Sequence, residues 1–156
     1  DDLVWHFIGH LQSNKTRLVA EHFDWSHTVD RLKIARRLSD QRPSHAPPLN
    51  VCIEVNVDAE ASKSGVSPEA LPALAGDVAA LPRLKLRGLM CLPAIREGFD
   101  AQRRPFAALR ELLESLNEEG MALDTLSMGM SADYAAAIQE GATIVRVGTA
   151  IFGARE

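Results

Sequence analysis

Residues 125–153 read TLSMGMSADYAAAIQEGATIVRVGTAIFG, two short apolar runs separated by a helical stretch. The first run, Leu123 to Met128, reads as a strand that ends in Gly129, Met130 and Ser131. Ser131 is placed to cap a helix running through about Gln139. A capping hydroxyl beside free amides and the positive end of a helix dipole favours an anion. Gly141 ends that helix, Thr143 to Val147 forms a second strand, and Gly148 and Thr149 add close backbone approach and another hydroxyl. Both groups fall at the carboxyl ends of consecutive strands, where (β/α)8 barrels commonly build a phosphate site. Each alone also reads as an ordinary cap or turn. Arg146 adds weight to the anion reading. Strand alternation puts Ile144, Arg146 and Gly148 on one face and Thr143, Val145 and Val147 on the other. A guanidinium on a strand buried on both faces needs a partner there.

The rest of the chain extends the same pattern. Val4 to Gly9 reads as a strand, and Ser13 as the cap of a helix carrying Leu18, Val19 and Phe23. Asp24 to Val29 is a second strand, after which Asp30 caps a helix with Leu32, Ile34, Ala35 and Leu38 on one face. In LNVCIEVNV, residues 49–57, the branched residues Val51, Ile53, Val55 and Val57 alternate with Cys52, Glu54 and Asn56. Ser67, Pro68 and Glu69 open a helix marked by Leu71, Leu74, Ala75, Val78 and Leu81. Leu84 to Met90 is a fourth strand. From about Arg104 and Pro105, Phe106, Leu109, Leu112, Leu113 and Leu116 define the most regular amphipathic helix. Six strands thus alternate with five helices through short connections, for which right-handed parallel crossovers are the default. That predicts either an open α/β sheet or a (β/α)8 barrel lacking two of its units, since a complete barrel takes about 250 residues.

Composition narrows the function. The 156 residues are 46% hydrophobic and 24% charged, enough for one domain with a substantial core. A net charge of −4 with no basic cluster argues against nucleic acid, and no apolar run reaches bilayer length. Cys52 and Cys91 have no metal-type spacing and read as buried thiols in a reducing cytoplasm.

WHFIGHLQSNK at 5–15, EVNVDAEASKSG at 54–65, RGLMCLP at 87–93, LSMGMSADYAAAI at 126–138 and VRVGTAIFGAR at 145–155 together resemble the pyridoxal phosphate homeostasis protein family. The resemblance implies a single (β/α)8 TIM-type barrel like the alanine racemase N-terminal domain, here with six of eight strand–helix units in one domain over 1–156. It implies pyridoxal 5'-phosphate (PLP) at the carboxyl ends of the strands. It makes Ser131, Gly148 and Thr149 the phosphate-binding residues and Arg146 the residue facing the pyridine nitrogen. The family's covalent lysine precedes the tryptophan-histidine-phenylalanine motif, so the resemblance puts it upstream of Asp1. None of Lys15, Lys33, Lys63 or Lys85 takes its place.

The function so implied is cytoplasmic PLP homeostasis by a non-catalytic carrier or regulator, monomeric when complete, with PLP-dependent apoenzymes as candidate recipients. The alternative is a PLP-dependent racemase. A racemase needs a base on each face of its substrate, and Tyr134 is the only tyrosine. A phosphate-sugar barrel enzyme without PLP rests on the fold-level phosphate site alone. His6 and His10 read as packed or hydrogen-bonded rather than as a metal pair. Glu54 and Asn56 line a barrel mouth or fill its polar interior, and Lys63 reads as a solvated loop residue. No catalytic residue and no metal site is assigned.

Overall fold

In a computed structural model of the protein, residues 2–60 and 64–156 are described. Six parallel strands lie side by side in chain order: β1 (His6–Phe7), β2 (Trp25–Val29), β3 (Leu49–Glu54), β4 (Leu84–Met90), β5 (Thr125–Met130) and β6 (Ile144–Arg146). Between them run α1 (Thr16–His22), α2 (Leu32–Gln41), α3 (Leu71–Ala79), α4 (Phe99–Glu118) and α5 (Tyr134–Gln139), and the four-residue α6 (Thr149–Phe152) follows β6. Sequential parallel order with one helix per crossover is the arrangement of consecutive units in a (β/α)8 barrel. The sheet is open, with β1 and β6 at its edges.

One face of the sheet packs against the helices through fully buried residues such as Val51, Ile53, Leu89, Phe106 and Leu109. The other face is polar and concave. His27 on β2 is within hydrogen-bond distance of Ser127 on β5, although β3 and β4 lie between them. Only a sheet curled toward that face can bring such strands together. The backbones leave no room for a side chain where Gly88 on β4 pairs with Thr125 on β5. A Cβ on Gly88 would lie 1.7 Å from the Thr125 carbonyl oxygen, so only glycine fits.

Several boundaries differ from the sequence reading, each for a local reason. β1 keeps only two residues of the expected six. Before it, the Trp5 carbonyl accepts from the amides of Asp24 and Trp25; after it, the Thr28 hydroxyl takes over the Gly9 carbonyl at 2.7 Å. Ser13 does not cap α1 but opens a 3-10 turn. Asp30 likewise turns away from α2, pairing with Arg31 and accepting from the Gly65 amide. α4 starts at Phe99, leaving Pro105 inside it, where the spacing had put the helix start. β5 runs on to Met130, which pairs with Arg146 after an irregularity in the ladder; Gly129 in between lies at φ +101°, where a Cβ would meet Ala137 at 2.7 Å.

Candidate functional site

Arg146 ends β6, whose branched neighbours Ile144 and Val145 hold an extended backbone. Its side chain reaches inward over β5 toward the carboxyl end of β4. Nη1 donates to the Ser127 carbonyl at 3.0 Å and to Ser127 Oγ at 2.6 Å, and Nη2 donates to the Cys91 carbonyl at 2.9 Å. Nε is buried without a partner. The partners are therefore a hydroxyl and two carbonyls rather than an acid. No carboxylate lies within ion-pair distance of Arg146 among the described residues. Burial lowers its pKa, with weaker opposition from the surrounding thiols and carboxylates. A guanidinium nevertheless remains charged, so the concave face holds a cation whose charge is not neutralised locally.

Glu54 and Asp133 oppose the burial only from beyond ion-pair distance. Burial pushes the Cys52 and Cys91 thiols up to about 12, leaving both neutral. Glu54 is raised chiefly by burial, while a hydrogen bond from Ser64 at 2.9 Å opposes the shift. Glu54 and Asn56 line a cavity of about 360 Å³ with Asp58, Ser64 and Leu92.

Ser131 sits elsewhere than the sequence put it. Asp133, not Ser131, occupies the cap position of α5, and the Ser131 hydroxyl crosses to the next turn. There it accepts from the amides of Gly148 at 3.3 Å and Ala150 at 3.1 Å. The two turns that follow β5 and β6 are thus brought together. Thr149 is exposed, and its hydroxyl forms no hydrogen bond among the described residues. Nothing crowds a Cβ position at Gly148. Hydroxyls and amides converge here at the end of the strand that carries the Arg146 cation.

Sequence reasoning missed what stands behind Arg146. Fully buried Ser127 accepts from Arg146 and contacts His27 Nδ1 at 2.7 Å, and His27 Nε2 contacts His6 Nδ1 at 2.8 Å. Arg146 can only donate, so Ser127 Oγ accepts from it; the tautomer that also uses the hydroxyl proton has Ser127 donating to His27 Nδ1 and His27 Nε2 donating to His6. Burial first, then the charges of His6 and Arg146, lower the His27 pKa to about 4, which keeps the ring neutral. His6 also stacks on Trp25, whose ring carries the Arg87 guanidinium at 4.7 Å. The consecutive polar residues Ser26, His27 and Thr28 in WSHTV, and the alternating Thr125 and Ser127 in TLSMG, were the available signal. His10 is exposed and not packed, and Lys63 lies outside the described residues.

The profile of the alanine racemase N-terminal domain matches residues 3–156. The chain belongs to that family. It is 65% identical to the pyridoxal phosphate homeostasis protein of Pseudomonas aeruginosa, over 99% of this chain and 66% of the relative. It is 59% identical to the protein of that name from Vibrio cholerae, over 99% of this chain and 65% of the relative. The chain thus spans about two thirds of the length of these curated relatives. Among solved structures, PipY of Synechococcus elongatus PCC7942 with PLP bound superposes with a TM-score of 0.88 at 36% identity, covering 98% of this chain and 72% of PipY. These findings bear out the resemblance read from the motifs and the barrel-type fold. No helix among the described residues is long and apolar enough to cross a membrane.

Proposed function

We propose that this chain carries the phosphate- and ring-binding face of a PLP-binding protein of intracellular PLP homeostasis. The observation that carries the reading is the Arg146 cation without a carboxylate partner, on the strand that leads into Gly148 and Thr149, where the Ser131 hydroxyl gathers two amides. In this reading Ser131, Gly148 and Thr149 hold the phosphate, and Arg146 faces the pyridine nitrogen. Nη2 keeps one hydrogen beyond the one given to the Cys91 carbonyl, which suits a single acceptor presented along the concave face. When bound, PLP supplies an aldehyde and an electron-withdrawing ring that react with amines. Arg146 donates a hydrogen bond to the ring nitrogen without protonating it, which weakens the ring as an electron sink and favours storage over catalysis.

Residues 1–156 are read as part of one barrel domain, with the covalent lysine on a preceding strand. The protein acts in the cytoplasm as a monomer and passes the cofactor to PLP-dependent apoenzymes. The non-catalytic reading is favoured over a racemase because Tyr134, the only tyrosine of these 156 residues, is an exposed residue at the start of α5. The test uses the complete gene product. PLP retained after desalting, with no alanine racemisation above the buffer rate, supports the reading; racemisation abolished by Arg146→Met overturns the non-catalytic part.

A further inference from the structure

The neutral histidine at the centre of the concave face has no role in the site just described, yet it is tied to that site by one hydroxyl. Ser127 is fully buried and makes two side-chain contacts, Arg146 Nη1 at 2.6 Å and His27 Nδ1 at 2.7 Å. A hydroxyl between a donor-only cation and an acceptor nitrogen has its rotor fixed. Its lone pair faces the guanidinium while its proton faces the imidazole. Replacing His27 with a group that cannot accept would leave the Ser127 proton unsatisfied in a dry interior. The hydroxyl would then turn to another acceptor, such as a main-chain carbonyl, and withdraw its lone pair from Arg146.

We propose that His27 is a positioning residue for Arg146: by accepting from Ser127, it holds the guanidinium at the carboxyl ends of the strands in the orientation that meets a bound pyridine ring. This rests on the reading of Arg146 given above. His27 touches no ligand in this account and acts only through Ser127. In the tautomer that accepts at Nδ1, the remaining ring nitrogen of His27 is the donor to His6 Nδ1, 2.8 Å away.

The test is made in the complete gene product with PLP as probe. His27→Leu removes the acceptor, whereas His27→Asn keeps an oxygen near the Nδ1 position. Ser127→Ala removes the intermediary, and Arg146→Met is the control for the site. Expected is a shifted absorption band of bound PLP and about tenfold weaker retention in His27→Leu and Ser127→Ala, the order of one hydrogen bond to a charged group. His27→Asn should restore the native band, and the His27→Leu, Ser127→Ala double variant should be no worse than either single one. In the ligand-free protein, nitrogen NMR should find His27 protonated at Nε2 and bare at Nδ1. That readout stands even if His27→Leu does not fold. A native band and affinity in Ser127→Ala while Arg146→Met loses both, or a proton at His27 Nδ1, overturns the positioning role alone. Unchanged binding in Arg146→Met overturns the site and the positioning role together.

Discussion

Arg146 Nη2 lies 2.9 Å from the carbonyl oxygen of Cys91, which joins the last residue of β6 to the residue after β4, with β5 between them. The same guanidinium takes both Ser127 acceptors through its other nitrogen. Three acceptors matched to one planar fork cannot be reproduced by an ammonium. Arg146→Lys should therefore lose most PLP retention although the charge is kept. Arg146→Met should lose retention with only a small change in the ligand-free melting temperature, because the three lost hydrogen bonds are offset by removal of a desolvated cation with no ion-pair partner among the described residues. Equilibrium dialysis paired with thermal melts checks both; a large fall in melting temperature for Arg146→Met would show the arginine to be structural.

Thr149 and Ser131 should separate binding from stability in different ways. Thr149→Val removes an exposed hydroxyl without a partner among the described residues, so melting should be unchanged while PLP binding weakens by about 1.5–3 kcal/mol, the range for a hydrogen bond to a charged acceptor. Ser131→Ala should weaken binding similarly, but it also frees the amides of Gly148 and Ala150, so a small loss of stability should accompany it. Unaltered affinity in the double variant would put the phosphate elsewhere.

Acid should destabilise the fold before it protonates most surface carboxylates. The His27 pKa is lowered in the folded chain from 6.5 to about 4, so the folded state takes up its proton later than the unfolded state. The associated stability is complete above 6.5, declines as pH falls and is gone below about 4. Its size is about 3 kcal/mol. Glu140 acts in the same direction. A hydrogen bond from Arg103 holds it below the usual carboxylate range, so its contribution is also lost on acidification. Denaturant titrations between neutral pH and pH 4 should show this loss, and His27→Asn should flatten it. An identical pH profile in that variant would remove His27 from the explanation.

Two glycines should respond in opposite ways. Gly88→Ala drives a methyl into the Thr125 carbonyl between central strands, and the protein should fail to accumulate in soluble form. Gly148→Ala meets open space and should fold normally while binding PLP less well, because the added methyl stands beside the two turns. Soluble yield and melting temperature separate the two outcomes.

The strands and their order were legible because β-branched residues alternate along them and glycine or proline punctuates the loops. The grouping of Ser131, Arg146, Gly148 and Thr149 near two consecutive turns was legible for the same reason. The pairing of His27 with Ser127 was not, because it depends on how far the sheet curls across β3 and β4, and alternation along a strand carries no information about curvature. The start of α4 was misread because Pro105 suits a first helical turn, whereas the true start at Phe99 follows a glycine with no periodic signal. Ser131 was misread as a cap because a serine ahead of an alanine-rich helix has the right spacing, and only the fold shows that its hydroxyl faces the neighbouring turn.

Seen as geometry, the six strands trace an arc, and His6, His27, Ser127 and Arg146 form a chord across it from β1 to β6. A chord of fixed length sets an arc's radius whether or not the circle is complete. The width of the mouth is then governed by four side chains and not only by backbone ladders. Anything that lengthens this chord, whether a substitution at its middle or a proton on its neutral imidazole, should relax the curvature of every strand between its ends.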